Sequence, residues 1–213
     1  YVTDLTSYLN CNYNGKDSNP MYYAKKLYIN GKRATKVNIP NNVVKIPSYA
    51  FYNCDSLISI TIPDSILSIG KNAFYNCCNL TAITLPNSVT NISDNAFSEC
   101  THLSNVSIPS SVTSIGYSAF SWCTNLTTVT IPMGVTNINN KVFYCCTGLT
   151  TINLPNSITL IGDDSFYGCN SLINMNIPNS VTRIGDRAFY RCSNLSNVNI
   201  PDSVTYIGNG SFQ

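Results

Sequence analysis

The sequence predicts a solenoid, a chain wound into stacked coils that share a parallel β-sheet, and three observations predict it. Pro40, Pro63, Pro86, Pro109, Pro132, Pro155, Pro178 and Pro201 stand 23 residues apart without a slip. Every phenylalanine falls on a second column of the same period: Phe51, Phe74, Phe97, Phe120, Phe143, Phe166, Phe189 and Phe212. Only 10% of the residues are charged, against roughly 25% in an ordinary soluble domain, so solubility falls to Asn, Ser and Thr. Self-similarity at one fixed period marks coils that each bury their open faces on a neighbour.

Residues 1–36 precede the period and read as a separate, non-repetitive segment. Asn19 followed by Pro20 predicts a helix start, with Asn as the cap and Pro in the first position. Lys25 and Lys26 would lie in its last turn, where cations suit the helix dipole. Asn30-Gly31 predicts a hairpin turn between Tyr28-Ile29 and the strand-like Val37-Asn38-Ile39. The segment would then cover the first coil of the array. Tyr1-Val2 reads as the tail of an earlier strand.

The period occupies residues 37–213 as about eight coils of 23 residues. Two more columns run in phase with the first two, Leu57 through Leu195 and Ile46 through Ile207. One unit, Leu80 to His102, shows the logic. Leu80, Ile83 and Leu85 are the inward residues of a short strand. Pro86 stops it, having no N–H to continue a ladder. Val89 and Ile92 point a second, irregular or extended segment inward. The glycines at 70, 116, 162, 185 and 208 are expected in turns with φ > 0. Ala96-Phe97 is expected on a short helical turn, with Cys100 one turn later and Leu103 opening the next strand. A coil advances by one strand spacing, about 4.8 Å, and cannot fold alone because its burial falls short of the entropy lost in ordering it. The array closes on Ser211-Phe212-Gln213, halfway through a coil, so the chain reads as a piece of a longer protein, truncated at its C-terminus.

The run Leu126-Thr-Thr-Val-Thr-Ile-Pro132, followed by Val135, Ile138, Phe143 and Cys146, resembles the BspA-like leucine-rich repeats of bacterial and protist surface proteins. The resemblance covers residues 37–213, and Asn19-Pro-Met-Tyr-Tyr-Ala24 with Leu27-Tyr-Ile-Asn-Gly31 resembles an insert found in such arrays. It implies a leucine-rich-repeat solenoid: a curved right-handed coil with one parallel β-sheet on the concave side and short helical turns or irregular segments opposite. It further implies a cell-surface or secreted protein concerned with adhesion and protein binding.

Chemistry is thinly represented. The net charge of +2 gives no pull toward nucleic acid, and no apolar run approaches the length of a membrane span. Seven cysteines share one column: Cys54, Cys77, Cys100, Cys123, Cys146, Cys169 and Cys192. One thiol per coil does not make the converging set a metal needs, so they read as buried, unpaired small hydrophobes, with bridges through Cys11, Cys78 or Cys145 left open. His102, the single histidine, lacks the partner and cleft of a general base. Asp163-Asp164 reads as a solvated turn. Asn-x-Ser/Thr triplets at Asn79, Asn91, Asn105, Asn125, Asn194 and Asn209 follow from the repeat's own preferences. No catalytic set, cofactor site or metal site is expected.

Residues 1–45 carry seven of the 12 basic residues (Lys16, Lys25, Lys26, Lys32, Arg33, Lys36, Lys45) against Asp4 and Asp17, a basic patch or simply a solvated face. The expected binding surface is the strand face. Its two outward rows are Ser59, Ala82, Asn105, Thr128, Thr151, Asn174 and Asn197, and Thr61, Thr84, Ser107, Thr130, Asn153, Asn176 and Asn199. Tyr52, Tyr75, Tyr144, Tyr167 and Tyr190, with Trp122, form a second candidate, an aromatic column on the turn side. The reading is a non-catalytic interaction or adhesion module for a protein on another cell or in the matrix. A glycan-binding module and a passive spacer are the alternatives.

Overall fold

The structure, a computed structural model, describes residues 2–11, 13, 15–24 and 26–213 and is a parallel β-solenoid. Eight three-residue strands open its coils: Lys36–Asn38, Ser59–Thr61, Ala82–Thr84, Asn105–Ser107, Thr128–Thr130, Thr151–Asn153, Asn174–Asn176 and Asn197–Asn199. These begin coils one to eight, the last incomplete. Wherever they pair, the register is one repeat, as in Val37↔Ile60 and Val129↔Ile152. Period-two alternation places their central residues inward. The series Val37, Ile60, Ile83, Val106, Val129, Ile152 and Met175 is buried, and Val198 in the last coil is half-buried.

After each strand the proline opens a turn. Its carbonyl accepts the N–H three residues on in every coil, from Val43 to Pro40 (3.1 Å) through Val204 to Pro201 (3.0 Å). The Val-x-x-Ile segment beyond it is more regular than its sequence predicts. It carries a second ladder of two-residue parallel strands, from Lys45–Ile46 and Ser68–Ile69 through Arg183–Ile184 and Tyr206–Ile207. Two residues are too few to show alternation, which is why periodicity does not reveal them.

The third side holds the phenylalanines, in turns rather than helix. Alternate N–H groups bond within the coil and across to the next. Tyr75 and Cys77 donate to Asn72 and Phe74 carbonyls at 3.2 and 3.1 Å, whereas Asn72, Phe74 and Asn76 donate to Asp94, Ala96 and Ser98 at 2.9, 2.8 and 2.8 Å. Left-handed residues at two columns make this possible, among them Asn72 (φ 53°), Asn76 (φ 53°), Lys141 (φ 60°) and Arg191 (φ 59°). The rings stack in a row with centroids 5.1–5.8 Å apart. Phe51 to Phe189 are fully enclosed, and Phe212, on the last coil, stacks on Phe189 yet stays 41% exposed with no coil beyond it in this chain.

The repeat glycines have a different role from the expected one. Gly70, Gly116, Gly162, Gly185 and Gly208 are not left-handed. A Cβ on Gly70 would lie 2.5 Å from Ser48 N, and one on Gly185 would lie 2.5 Å from Asp163 N. At these glycines the preceding coil's backbone comes close to where a Cβ would lie, although Ser93 and Asn139 hold the same column in coils three and five.

Ahead of the array come helix Leu5–Asn10, capped by Asp4, a 3-10 turn at Lys16–Ser18 and helix Met21–Ala24. Asn19 caps as expected, its Oδ1 accepting Met21 N at 2.8 Å. The helix ends before Lys26, and Lys25 and Tyr1 lie outside the described residues. Asn30 (φ 50°) and Gly31 (φ 76°) make the hairpin turn, but its second strand is Lys32–Arg33. Val37 belongs instead to the array, paired with Ile60. Val2 bridges in parallel to Ile29. Leu9, Met21 and Leu27 are buried in the same core as coil one, and Tyr8 Oη and Asn19 Nδ2 donate to the Ala50 and Tyr49 carbonyls. No helix among the described residues is long and apolar enough to cross a membrane.

Candidate functional site

The strands set the geometry of the strand face. Because each central residue points inward, its two neighbours must point out, and one repeat later the same positions recur beside them. Ser59 is half-buried, and Thr61, Thr84, Asn105, Ser107, Thr128, Thr130, Thr151, Asn153, Asn174, Asn176, Asn197 and Asn199 are exposed in two rows. Neighbouring side chains ladder at two places, Asn153 Nδ2 to Thr130 Oγ1 (3.3 Å) and Asn197 Nδ2 to Asn174 Oδ1 (3.0 Å). Neither row carries a charge in coils two to eight.

The face is not uniform. Its sheet divides into coils one and two, coils three to six, and coils seven and eight. Along its proline edge lies an apolar groove of about 470 Å³, lined by Ile108, Ile131, Pro132, Met133, Leu154 and Pro155 with Ser110, Thr130 and Asn153. Met133 is 69% exposed there. Periodicity does not single it out, although Met133-Gly134 breaks a column pair that every other coil fills with two polar residues (Asn41-Asn42, Asn87-Ser88, Asn156-Ser157). At 174–176 and 196–199 a shallower, amide-lined groove holds about 420 Å³.

The aromatic column is two stacks. Tyr52 faces Tyr75 at 4.9 Å, and Tyr144, Tyr167 and Tyr190 follow one another at 4.8 and 5.2 Å. Ser98 and Ser121, both buried, occupy the column between them. Trp122 is one position over, tilted on Tyr144 at 6.1 Å and 47% exposed.

All ten cysteines are free thiols, and the columnar seven are buried. Burial pushes their thiols up, Cys77, Cys123 and Cys169 well above the usual range and Cys192 to about 12. Such groups are poor nucleophiles. Among the described residues no group of three His, Cys, Asp or Glu side chains is placed to hold a metal. His102 is exposed, its Nδ1 2.6 Å from the Cys78 carbonyl. The Asp163-Asp164 turn departs from its expected solvation. Asp163 Oδ1 accepts the Asp186 N–H at 2.9 Å, and Asp164 is buried against Arg187, whose Nε and Nη2 lie 2.9 and 3.0 Å from its two oxygens. The next coil supplies both partners, which a reading of single coils cannot see.

Of the basic segment, Lys26, Lys32, Arg33, Lys36 and Lys45 are exposed and Arg33 pairs with Asp55 at 3.4 Å, while Lys25 is outside the described residues. Among the triplets, Asn79, Asn105, Asn125, Asn194 and Asn209 are exposed, and Asn91 is half-buried, donating to Ser93 Oγ at 3.0 Å.

Comparison with known proteins agrees with this geometry. The family described as "BspA type Leucine rich repeat region" matches in six copies across residues 24–147 and 90–213. A leucine-rich-repeat protein of T. pallidum is 31% identical with a TM-score of 0.71, over 76% of this chain and 78% of that one. One from Eubacterium ventriosum is 29% identical with a TM-score of 0.73, and another from Bacteroides ovatus is 29% identical with a TM-score of 0.50. Each is matched over 84% of this chain, which spans 47% and 58% of their respective lengths. Among curated proteins none matches the chain.

Proposed function

Because the chain belongs to the BspA-type leucine-rich-repeat family, we propose that it is a non-catalytic protein-interaction module of a cell-surface or secreted protein, used in adhesion. Stacked repeats present long continuous faces, and such faces are where solenoids bind. The observation that carries the reading is the strand face itself, two outward rows of hydroxyl and amide side chains, broken at Ala82, that are free of charge over coils two to eight. Holding such rows in register on folded coils lowers the entropic cost of meeting an extended partner surface. The contact is with a protein on another cell or in the matrix, and this segment contributes no membrane insertion.

The same hydrogen-bonding groups suit sugars, and one experiment separates the two. Labelled protein is presented in parallel to an array of host and neighbouring-cell ectodomains and to a glycan array. Saturable binding to an ectodomain that survives enzymatic deglycosylation supports the proposal. Binding confined to glycans, or lost on deglycosylation, makes the chain a glycan-binding module. Binding to neither array leaves it a spacer and contradicts the proposal.

A further inference from the structure

Six of the seven steps between coils keep the second ladder paired, from Lys45↔Ser68 to Arg183↔Tyr206, and the fourth step does not. No pairing joins Ser114–Ile115 to Asn137–Ile138. The residue in the glycine column distinguishes this step. Gly116 and Gly162 donate their N–H groups to Ile92 and Ile138 carbonyls at 2.8 Å each. A Cβ alone does not break this bond, since Ser93 in the same column of coil three donates its N–H to the Ile69 carbonyl at 3.0 Å; Asn139 occupies the column in coil five. Instead of its backbone N–H, the Asn139 side chain reaches the Ile115 carbonyl, Nδ2 to O 2.7 Å.

Other bonds fail at the same step. Ser88, Ser111 and Ser157 each donate Oγ to the coil before (2.6–2.7 Å), and Gly134 has no hydroxyl to do so. Thr113 and Thr159 donate both N–H and Oγ1 to the preceding coil, and Thr136 has neither bond. On the strand side the second and sixth steps carry no pairing and the fourth keeps a single paired position, Thr128↔Asn105, so the fourth is the step at which both ladders are reduced. The Phe120–Phe143 spacing, 5.8 Å, is the widest of the ring stack. Only the turn side is whole: Ser118, Phe120 and Trp122 donate to Asn140, Val142 and Tyr144 at 3.1, 3.0 and 2.7 Å.

Two weakened sides and one intact side describe a hinge. We infer that the array flexes at the step between coils four and five, opening on its strand and second-ladder sides about the turn ladder at Phe120. Local opening follows the places where backbone bonds and packed contacts are fewest. The inference does not depend on the strand face binding anything.

The test traps the open state with a thiol reagent, since the native columnar thiols are held unreactive by burial. Ile115→Cys and Ile138→Cys flank the step, and Ile69→Cys and Ile184→Cys hold equivalent positions where the second ladder is paired on both sides; all four isoleucines are buried. Alkylation of each site, followed by peptide mass spectrometry under native conditions, is expected to be at least tenfold faster at 115 and 138. Adding Asn139→Gly to Ile138→Cys lets the ladder close and should return its rate to within threefold of the controls. Four similar rates, or no response to Asn139→Gly, would overturn the hinge. Hydrogen exchange on the unaltered protein gives an independent reading that needs no variant. The Thr127 amide, 3.5 Å from Ser104 O, should exchange at least tenfold faster than that of Thr150, 2.9 Å from Thr127 O, while the Phe120 amide stays as protected as that of Phe97. Rapid exchange at Phe120 would mean the coils separate rather than hinge, and equal protection of Thr127 and Thr150 would mean neither; both overturn the inference.

Discussion

The Cys100 thiol donates to the Phe74 carbonyl of the preceding coil at 3.1 Å, the same oxygen that takes the Cys77 N–H at 3.1 Å. Six such pairs run from Cys77–Phe51 to Cys192–Phe166 at 3.0–3.2 Å. Cys54 instead lies 3.6 Å from Ser56 Oγ. The column is therefore more than filler, since six of its seven thiols fix one coil to the next. Under native conditions the seven columnar thiols should resist alkylation, and all should react once the chain is denatured without reductant. Fewer than seven reactive columnar thiols after denaturation would mean some are bridged.

Those thiols also set a pH dependence. Burial raises the folded values of Cys54, Cys77, Cys100, Cys123, Cys146, Cys169 and Cys192 above the ordinary 9.0. Below that value both states are protonated and the stability is whole. Above it the unfolded chain ionises first, so stability falls by about 1.4 kcal/mol per pH unit for each thiol until its folded pKa is reached. Thermal unfolding should show a Tm that drops steeply above pH 9, with a shallower slope in a variant carrying Cys→Ala at 100 and 146. Parallel slopes would contradict this cause.

The ring stack and turn ladder form the spine of the solenoid. Phe97 lies 5.2 Å from Phe74 and 5.4 Å from Phe120 and is fully buried. Phe97→Ala should cost roughly 3–5 kcal/mol, read by denaturant unfolding, and a loss below about 1 kcal/mol would show that the strands alone hold the coils. Phe212→Ala removes a half-exposed ring and should cost markedly less.

Glycine and left-handed residues should respond in opposite directions. Gly162→Ala puts a Cβ 2.8 Å from Asn140 N and close to its side-chain oxygen, so it should destabilise the array. Arg191→Gly replaces an exposed side chain at φ 59° and should be neutral or stabilise by up to about 1 kcal/mol. Denaturation midpoints of the two variants check both signs.

Much of this was legible in the residues. The columns of Phe, Leu, Ile and Pro gave the coil, and alternation around Ile83 and Val129 told the outward rows from the inward ones. What escaped was whatever one coil owes to the next. The left-handed positions are occupied by Asn72, Lys141 and Arg191 alike, because a cross-coil bond holds them there and no single residue type marks them. Glycine at 162 looked like a turn signal when it answers to the backbone of Asn140. Asp164 is buried only because Arg187, one repeat on, covers it. On the strand face the rows could be read but not their ligand, since uncharged Thr and Asn specify no particular chemistry.

The most direct test of the proposed interaction surface needs a bound ectodomain from the arrays and three variants. Thr84→Arg, Thr130→Arg and Asn153→Arg together place charge and bulk on the strand face, on side chains that already point outward, so the fold and its Tm should be kept. Trp122→Ser alters the turn side, and Lys26→Glu with Arg33→Glu reverses the basic segment. The strand-face account predicts that the triple variant loses binding by at least a hundredfold while the other two bind as the unaltered protein does. It also predicts that the association rate changes little with salt, because uncharged rows steer weakly. Retained binding in the triple variant, together with loss in either of the others or a steep fall of rate with salt, would contradict the account.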